Sequence, residues 1–142
     1  MSAVMIRPVQ AVAEIRKSIQ DLEDSLLSLP EEYQLDPDLL VEHHFAPGVY
    51  VRQMFMPAGL VVTGKVHKTE HVSIISSGTV TVATENEGSV TIEGPYTFIN
   101  HIGDKRAVYA HTEVVWSTIH PNPTDERDIS KLEAEIVECP SE

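Results

Sequence analysis

His67 and His71 flank the tripeptide 68–70 and form the histidine pair whose spacing could support chemistry. On a helix, two histidines four positions apart share one face and can bind zinc together. The neighbouring segments are rich in valine and isoleucine, however, and therefore favour strands. On a straight strand, four residues at about 3.3 Å each would hold the rings ~13 Å apart, too far for bonds of ~2 Å to one ion. The pair can act together only if residues 68–70 form a bend.

The region around this pair consists of short β-branched and aromatic segments separated by turn signals. Pro47-Gly48, Ser77-Gly78 and Gly94-Pro95 are among these signals. About eight strands at roughly ten-residue spacing, without intervening helices, predict an antiparallel sandwich or barrel. The predicted strands span residues 49–51, 60–62, 72–75, 79–84, 89–93, 96–99, 106–110 and 113–119.

An acidic flank precedes this β-rich body. Residues 1–45 contain nine acids and three bases, whereas residues 46–120 contain six and five. Apolar residues at intervals of three and four predict an amphipathic helix that ends before Pro30. Its stripe could pack on its own chain or on a partner. The stripe consists of Val12, Ile15, Ile19, Leu22, Leu26 and Leu29.

A second acidic flank, residues 121–142, follows with seven acids and two bases. Its apolar residues after Asp128 suit a short helix. We therefore predict an N-terminal helical flank over residues 1–45, a β body over 46–120 and an acidic tail with a short helix over 121–142. His120 lies beside the last junction and is predicted to be a surface residue.

The composition indicates one globular domain, because 142 residues with 42% apolar content can build a core. A net charge of −12 disfavours a nucleic-acid or anionic-membrane surface. The single cysteine, Cys139, excludes an internal disulfide and a cysteine-based zinc cluster. No apolar run approaches ~18 residues, and no signal-peptide pattern is found. We therefore expect a cytoplasmic protein with neither nucleic-acid nor membrane partners.

The segment from Gly64 to Gly78 resembles the first motif of the cupin superfamily. That motif contains a glycine, a His-x-His pair, a glutamate and, six residues later, another glycine. Counting back from Gly78 places His71 at the glutamate position, His67 at the second histidine and Lys65 at the first.

The second cupin motif falls on residues 94–110, with one residue more than its usual spacing. Gly103 matches the internal glycine, while Arg106 stands at the histidine position and Ala110 at the asparagine position. The resemblance covers about residues 45–120. The sequence is similar to small cupin-like proteins of tailed bacteriophages, through strings at residues 50–52, 56–59, 64–71, 105–106 and 109–110, and Trp116. The resemblance implies a mainly β, cupin-type antiparallel β-barrel (jelly roll). It implies a location in the host cytoplasm if the protein is phage-encoded, and it implies no established activity.

Cupin metal sites usually combine three histidines with one carboxylate, and this sequence departs from that pattern. Lys65 and Arg106 occupy two of the four ligand positions, and their positive charges oppose a divalent ion. A metal-dependent enzyme of the dioxygenase or isomerase type, with Ni²⁺, Zn²⁺, iron or Mn²⁺, is one alternative. The two histidines could instead line the barrel, bonded to backbone or water. As metal ligands, His67 and His71 would need a third donor among Glu70, His101 and His111.

Convergent cations inside an apolar cup favour a small anionic ligand such as a carboxylate, a phosphate or a sugar acid. We expect Lys65, Arg106 and Tyr109 to bind it, in a binding or phage accessory protein. Arg106 could instead pair with a buried acid such as Glu93 or Glu113. A structural role in assembly is a further alternative. Because an apolar helix stripe on a small barrel needs burial, we also expect a homo-oligomer.

Overall fold

The computed structural model describes residues 12–84 and 88–137, and these residues form two antiparallel sheets with a helix at either end. Two short 3-10 helices, Glu31–Tyr33 and Pro37–Leu40, follow the first helix. The other elements are α1 (Val12–Leu27), β1 (Val41–Ala46), β2 (Gly48–Met56), β3 (Val61–Thr63), β4 (His71–Ser77), β5 (Thr79–Thr84), β6 (Gly88–Glu93), β7 (Tyr96–Asn100), β8 (Ala107–Ala110), β9 (Val114–Asn122) and α2 (Ile129–Ile136).

The two sheets face each other across the main apolar core. Sheet A has the strand order β1-β2-β9-β4-β7, and sheet B has the order β3-β8-β5-β6. Met56, Ile75 and Trp116 of sheet A meet Val80 and Val108 of sheet B in this core. The predicted mainly β jelly-roll class is confirmed. The strands form a two-layer sandwich, however, and the described residues contain no closed barrel.

Strand β1 was not among the segments expected from the sequence. It is the edge strand of sheet A and pairs with β2 in a register that runs from Val41↔Met54 to Ala46↔Val49. Four of its six residues are exposed, so its sequence lacks the apolar enrichment that marks an inner strand. The sheet therefore begins at Val41, inside the flank predicted over residues 1–45.

Helix α1 packs on the outer face of sheet B. Ile19 and Leu22 are buried there against Ala83 and Ala107. The side chains of Val12 and Ile15 lie outside the described residues. The middle of the apolar stripe is thus covered by its own chain, whereas Leu29 at its end is 47% exposed.

A buried cation also attaches α1 to the sandwich. Lys105 Nζ lies 2.6 Å from Glu23 Oε2 and donates to Gln20 Oε1 at 3.1 Å. Both partners belong to α1, so the segment before β8 is held by the helix.

Helix α2 confirms the predicted short C-terminal helix and closes one end of the sandwich. Asp128 caps its N-terminus by accepting from the backbone N–H groups of Ser130 and Lys131. Leu132 and Ile136 pack against Tyr50. Cys139 lies outside the described residues. Neither α-helix in the described part of the chain is long and apolar enough to cross a membrane.

Replacing Ile19 by alanine should lower the free energy of unfolding by about 2–5 kcal/mol, because the side chain is fully buried between α1 and sheet B. Urea denaturation followed by circular dichroism measures the change. The exposed Ser25 on the same helix provides the control, since Ser25→Ala should change stability by less than about 0.5 kcal/mol. Equal stability of the two variants would contradict the packing of α1 on sheet B.

Candidate functional site

A cavity of about 250 Å³ lies between the sheets, next to α2. Its apolar wall includes Met54, Met56, Val108 and Trp116. The ionisable side chains that line it come from several different elements and connecting segments. They are Asp38, Tyr50, Arg52, Lys65, His67, Arg106, His120 and Glu133.

The register between β2 and β9 explains why these side chains share one face. Tyr50 lies opposite His120, and Arg52 lies opposite Thr118. Directly paired residues point to the same side of a sheet, and alternate residues along a strand do as well. Since Trp116 faces the core, Thr118 and His120 also face inward.

Three histidine rings lie together, and two of them, His67 and His120, line this cavity. The ring centroids of His67 and His71 are 4.8 Å apart, and those of His71 and His120 are 4.5 Å apart. The required bend over residues 68–70 is present, with the Lys68 backbone N–H bonded to the Ile136 carbonyl at 2.7 Å. The structure therefore brings His67 and His71 together.

His120 is the member of this cluster that the sequence interpretation missed. It is 3% exposed, so its assignment as a surface residue is wrong. Its Nε2 lies 2.9 Å from Thr118 Oγ1. Alternation counted from the core residue Trp116 would have placed it inside, but the predicted strand ended one residue too early.

The hydrogen bonds of His67 define its tautomer. Its Nδ1 lies 3.0 Å from the Asp104 carbonyl oxygen, which can only accept, so Nδ1 carries the proton. Nε2 is then an acceptor and lies 3.4 Å from Arg106 Nη2. His67 therefore directs its free lone pair at a cation.

His71 is held in a similar way. Its Nδ1 lies 3.3 Å from the Thr69 carbonyl oxygen and so carries the proton. Its Nε2 is buried and has no hydrogen-bond partner among residues 12–84 and 88–137; the same holds for His120 Nδ1. Two buried imidazole nitrogens thus have no bond to any residue that the structure describes.

Burial keeps all three imidazoles neutral at pH 7. It lowers the pKa of His67 to about 4, with the Arg106 guanidinium as the next cause. Burial likewise lowers the pKa of His71 to about 3 and that of His120 to about 4, and the other histidines and Arg106 act in the same direction. Each protonated ring would add positive charge to an interior that already contains an arginine.

Arg106 is 7% exposed, and its guanidinium carbon lies 5.2 Å from the centre of the Trp116 ring. This distance is within the range of a cation–π contact. On the facing sheet, Arg52 Nε is buried and lacks a hydrogen-bond partner in the described part of the chain. Lys65 is exposed at the cavity rim. Lys65 and Arg106 thus share the cavity, together with an arginine that the sequence interpretation did not identify.

The other predicted site residues lie elsewhere. Tyr109 occupies the face of β8 opposite Val108 and meets His111 edge-on, with 4.7 Å between ring centroids. His111 Nε2 lies 2.6 Å from Thr81 Oγ1. Glu70 and His101 are exposed. The structure does not bring these four residues to the cavity.

The cavity is unfavourable for a divalent metal ion. Among the described residues, no group of three His, Cys, Asp or Glu side chains is arranged to hold one. The Nε2 lone pair of His67 already faces Arg106. Arg52 and Lys65 add two further positive charges to the same cavity.

Stability should fall with decreasing pH because of the histidine cluster. In the unfolded chain imidazoles bind protons near pH 6.5, whereas His120 in the fold does so near pH 4. Between these values the unfolded state binds more protons, so the free energy of unfolding rises with pH. His120→Gln should reduce that slope by about 1 kcal/mol per pH unit between pH 5 and 6.

Urea denaturation at several pH values measures this slope. His44→Gln, at an exposed position on β1, is the matched control and should keep the slope of the unmodified protein. An unchanged slope in His120→Gln would contradict the buried, neutral state of this ring.

Comparisons with known proteins concern the fold. No family model matches the sequence, and no curated protein matches it. The EutQ protein of Clostridium difficile is 11% identical, with 68% of this chain and 82% of that chain covered and a TM-score of 0.50. A cupin-2 domain containing protein from Shewanella frigidimarina is 13% identical (76% and 99% covered, TM-score 0.47), and the Schizosaccharomyces pombe Cnp3 cupin domain is 15% identical (71% and 74% covered, TM-score 0.49). At these identities the likeness concerns the fold alone, and it agrees with a jelly-roll sandwich of two antiparallel sheets.

Proposed function

We propose that this protein binds a small anionic ligand in the cavity between its sheets, as a binding or accessory protein. The observation that carries the proposal is the convergence of Arg52, Lys65 and Arg106 on one cavity. They are three of only ten lysines and arginines in a chain of net charge −12. Such a concentration of positive charge in an acidic protein favours an anionic ligand.

Burial makes the two arginines strong binding groups. A guanidinium presents several N–H donors in a fixed plane that matches a carboxylate or phosphate. Arg106 is almost fully buried, and Arg52 Nε is buried with no bond to any described residue. An anion between them would meet donors that are shielded from water, where charge-assisted hydrogen bonds are strongest.

The rest of the cavity limits the size of the ligand. Met54, Met56, Val108 and Trp116 offer an apolar surface beside the cations. The volume of about 250 Å³ is slightly below the ~300–1,000 Å³ of typical ligand pockets. A small molecule with an anionic head and a short apolar body suits this space.

A metal-dependent enzyme is the second candidate. His71 Nε2 and His120 Nδ1 are both buried and lack hydrogen-bond partners in the described ranges, and their rings are 4.5 Å apart. Two imidazole nitrogens are fewer than the three protein ligands of a typical catalytic metal site. The cations around them therefore favour the anion over the metal.

The phage resemblance extends the proposal to an accessory role in a phage-infected host. Several of the shared strings contain residues that line the cavity, among them Tyr50, Arg52, Lys65, Arg106 and Trp116. A cavity built from the shared residues supports a common ligand class for these proteins.

Replacing Arg106 or Arg52 by glutamine should weaken the binding of hexanoate and of inorganic phosphate at least tenfold. The loss corresponds to one charge-assisted hydrogen bond of about 1.5–3 kcal/mol. Isothermal titration calorimetry measures the affinities. Arg127, an exposed arginine over the Phe45 ring and outside the cavity lining, provides the control variant Arg127→Gln, which should bind as the unmodified protein does.

Two results would contradict the proposal. One is unchanged affinity for both probes in Arg106→Gln and Arg52→Gln. The other is one equivalent of tightly bound nickel, zinc, iron or manganese in protein purified without chelator, which would support the enzyme candidate instead.

A further inference from the structure

Charges of both signs line the same cavity. Asp38, from the 3-10 helix Pro37–Leu40, and Glu133, from α2, line it together with Arg52, Lys65 and Arg106. Glu133 is half-buried, and Asp38 is exposed. The acids thus come from α2 and the 3-10 helix, whereas Arg52 comes from β2 and Arg106 from the segment just before β8.

In the described part of the chain, no ion pair joins Arg52 to Asp38 or Glu133. All three nevertheless act on the Tyr50 hydroxyl. Burial raises the pKa of Tyr50 to about 12, Glu133 and Asp38 add to that rise, and Arg52 opposes it. The cavity thus presents separated positive and negative groups around one buried tyrosine.

We propose that the ligand is zwitterionic, an amino carboxylate whose carboxylate binds Arg52 and Arg106 and whose ammonium group binds Glu133 and Asp38. The inference rests on the proposed binding of an anionic group in this cavity. A purely anionic ligand is repelled through its carboxylate by these two acids and has no group that could pair with them. An amino carboxylate pairs with both sets of charges. Because it has no net charge, the net charge of −12 on the protein does not repel it.

A series of ω-amino carboxylates with four, five and six carbons, each compared with the alkanoate of equal length, tests the proposal by calorimetry. At least one amino carboxylate should bind five- to tenfold more tightly than its alkanoate. Glu133→Gln should weaken the amino carboxylate and strengthen the alkanoate, because it removes both an attraction and a repulsion. Glu135→Gln, at an exposed position on the same helix, is the matched control and should preserve the ratio of affinities.

The outcomes separate this inference from the proposed function. If the alkanoates bind and depend on Arg106 while the ammonium group brings no gain, the zwitterion is excluded and anion binding stands. If Glu133→Gln and Glu135→Gln change the ratio equally, the preference does not arise at Glu133 and the assignment is wrong. If no member of either series binds, both proposals fail.

A different observation concerns the outer face of sheet A. The registers align Val51 of β2, Ile119 of β9, Val72 of β4 and Ile99 of β7 in one row across four strands. Their neighbours on the inner-facing positions, such as Arg52, point to the cavity, so this row points outward. Ile99 is 48% exposed, and the other three are partly exposed.

No outward position on these four strands carries a charged side chain. The acidic Glu42 and the imidazole of His44 lie on the edge strand β1, beside the face. Helix α1 packs on sheet B, and α2 packs against the inward-facing Tyr50. The outward residues are Val49, Val51, Gln53, Phe55, Val72, Ile74, Ser76, Thr97, Ile99, Val115, Ser117, Ile119 and Pro121.

We infer that this face binds the same face of a second copy of the chain. Two copies of net charge −12 repel each other wherever their acids approach. A face without acids is where two copies can come together with least repulsion while burying apolar rows. Such a contact would be isologous, with each row meeting its two-fold equivalent.

Val72→Glu places a carboxylate in the middle of this face and should convert a dimer into a monomer, as measured by light scattering coupled to size-exclusion chromatography. Ser89→Glu, at an exposed position of β6 on the other sheet, is the matched control and should remain dimeric. A Val72→Lys variant mixed with Val72→Glu should restore the dimer, because opposite charges then meet. This rescue also shows that each variant is folded.

A monomeric unmodified protein would overturn the inference. So would a dimer that persists in Val72→Glu, since the contact would then lie on another surface. Restoration of the dimer only in the mixture supports the face.

Discussion

The guanidinium of Arg106 cannot lose its charge at neutral pH, and it lies inside the sandwich, so its surroundings must accommodate a permanent cation. His67 directs its Nε2 lone pair at this group, and Trp116 presents its ring. The neighbouring imidazoles stay neutral, because a protonated ring would place a second positive charge in a poorly solvated space. A divalent metal ion would add two positive charges to the same space. The same charge that opposes a metal makes the cavity suitable for an anion.

The position of the Arg106 side chain depends on its place next to Lys105, because the two adjacent side chains extend in different directions. Lys105 and Arg106 are adjacent residues just before β8, and Lys105 extends to Glu23 on α1 while Arg106 lines the cavity. Each cation therefore has a separate use: Lys105 attaches the helix, and Arg106 faces the ligand space. Because the Gly64 N–H donates to the Arg106 carbonyl at 2.8 Å, the same segment also holds the rim that carries Lys65. Packing of α1 outside the sandwich thus supports the geometry inside it.

Local patterns in the sequence were sufficient for most of the fold. Valine-rich segments between turn signals predicted eight strands. The backbone geometry also explains why the motif has a glycine at position 78. Its φ of +97° is unfavourable for other residues, and an added Cβ would overlap the Glu113 carbonyl oxygen. The convergence of His67 and His71 was predictable as a conditional statement, because the distance along a strand required a bend. The polar edge strand β1 was not predictable, since edge strands need no apolar pattern.

The cavity lining could not be predicted from residue spacing alone. It depends on which face of its strand each residue occupies and on contacts between segments distant in sequence. Alternation could have excluded Tyr109, because residues 106 and 109 differ by an odd number and would lie on opposite faces of the predicted strand 106–110. The same count from Trp116 would have included His120. Glu133 is different: it approaches the cavity because α2 folds back onto the 64–70 segment, where Lys68 Nζ donates to the Ala134 carbonyl at 2.8 Å. No periodicity within either segment encodes that contact. Glu133 therefore reaches the cavity through tertiary packing, whereas Arg52 faces it because of its place on β2.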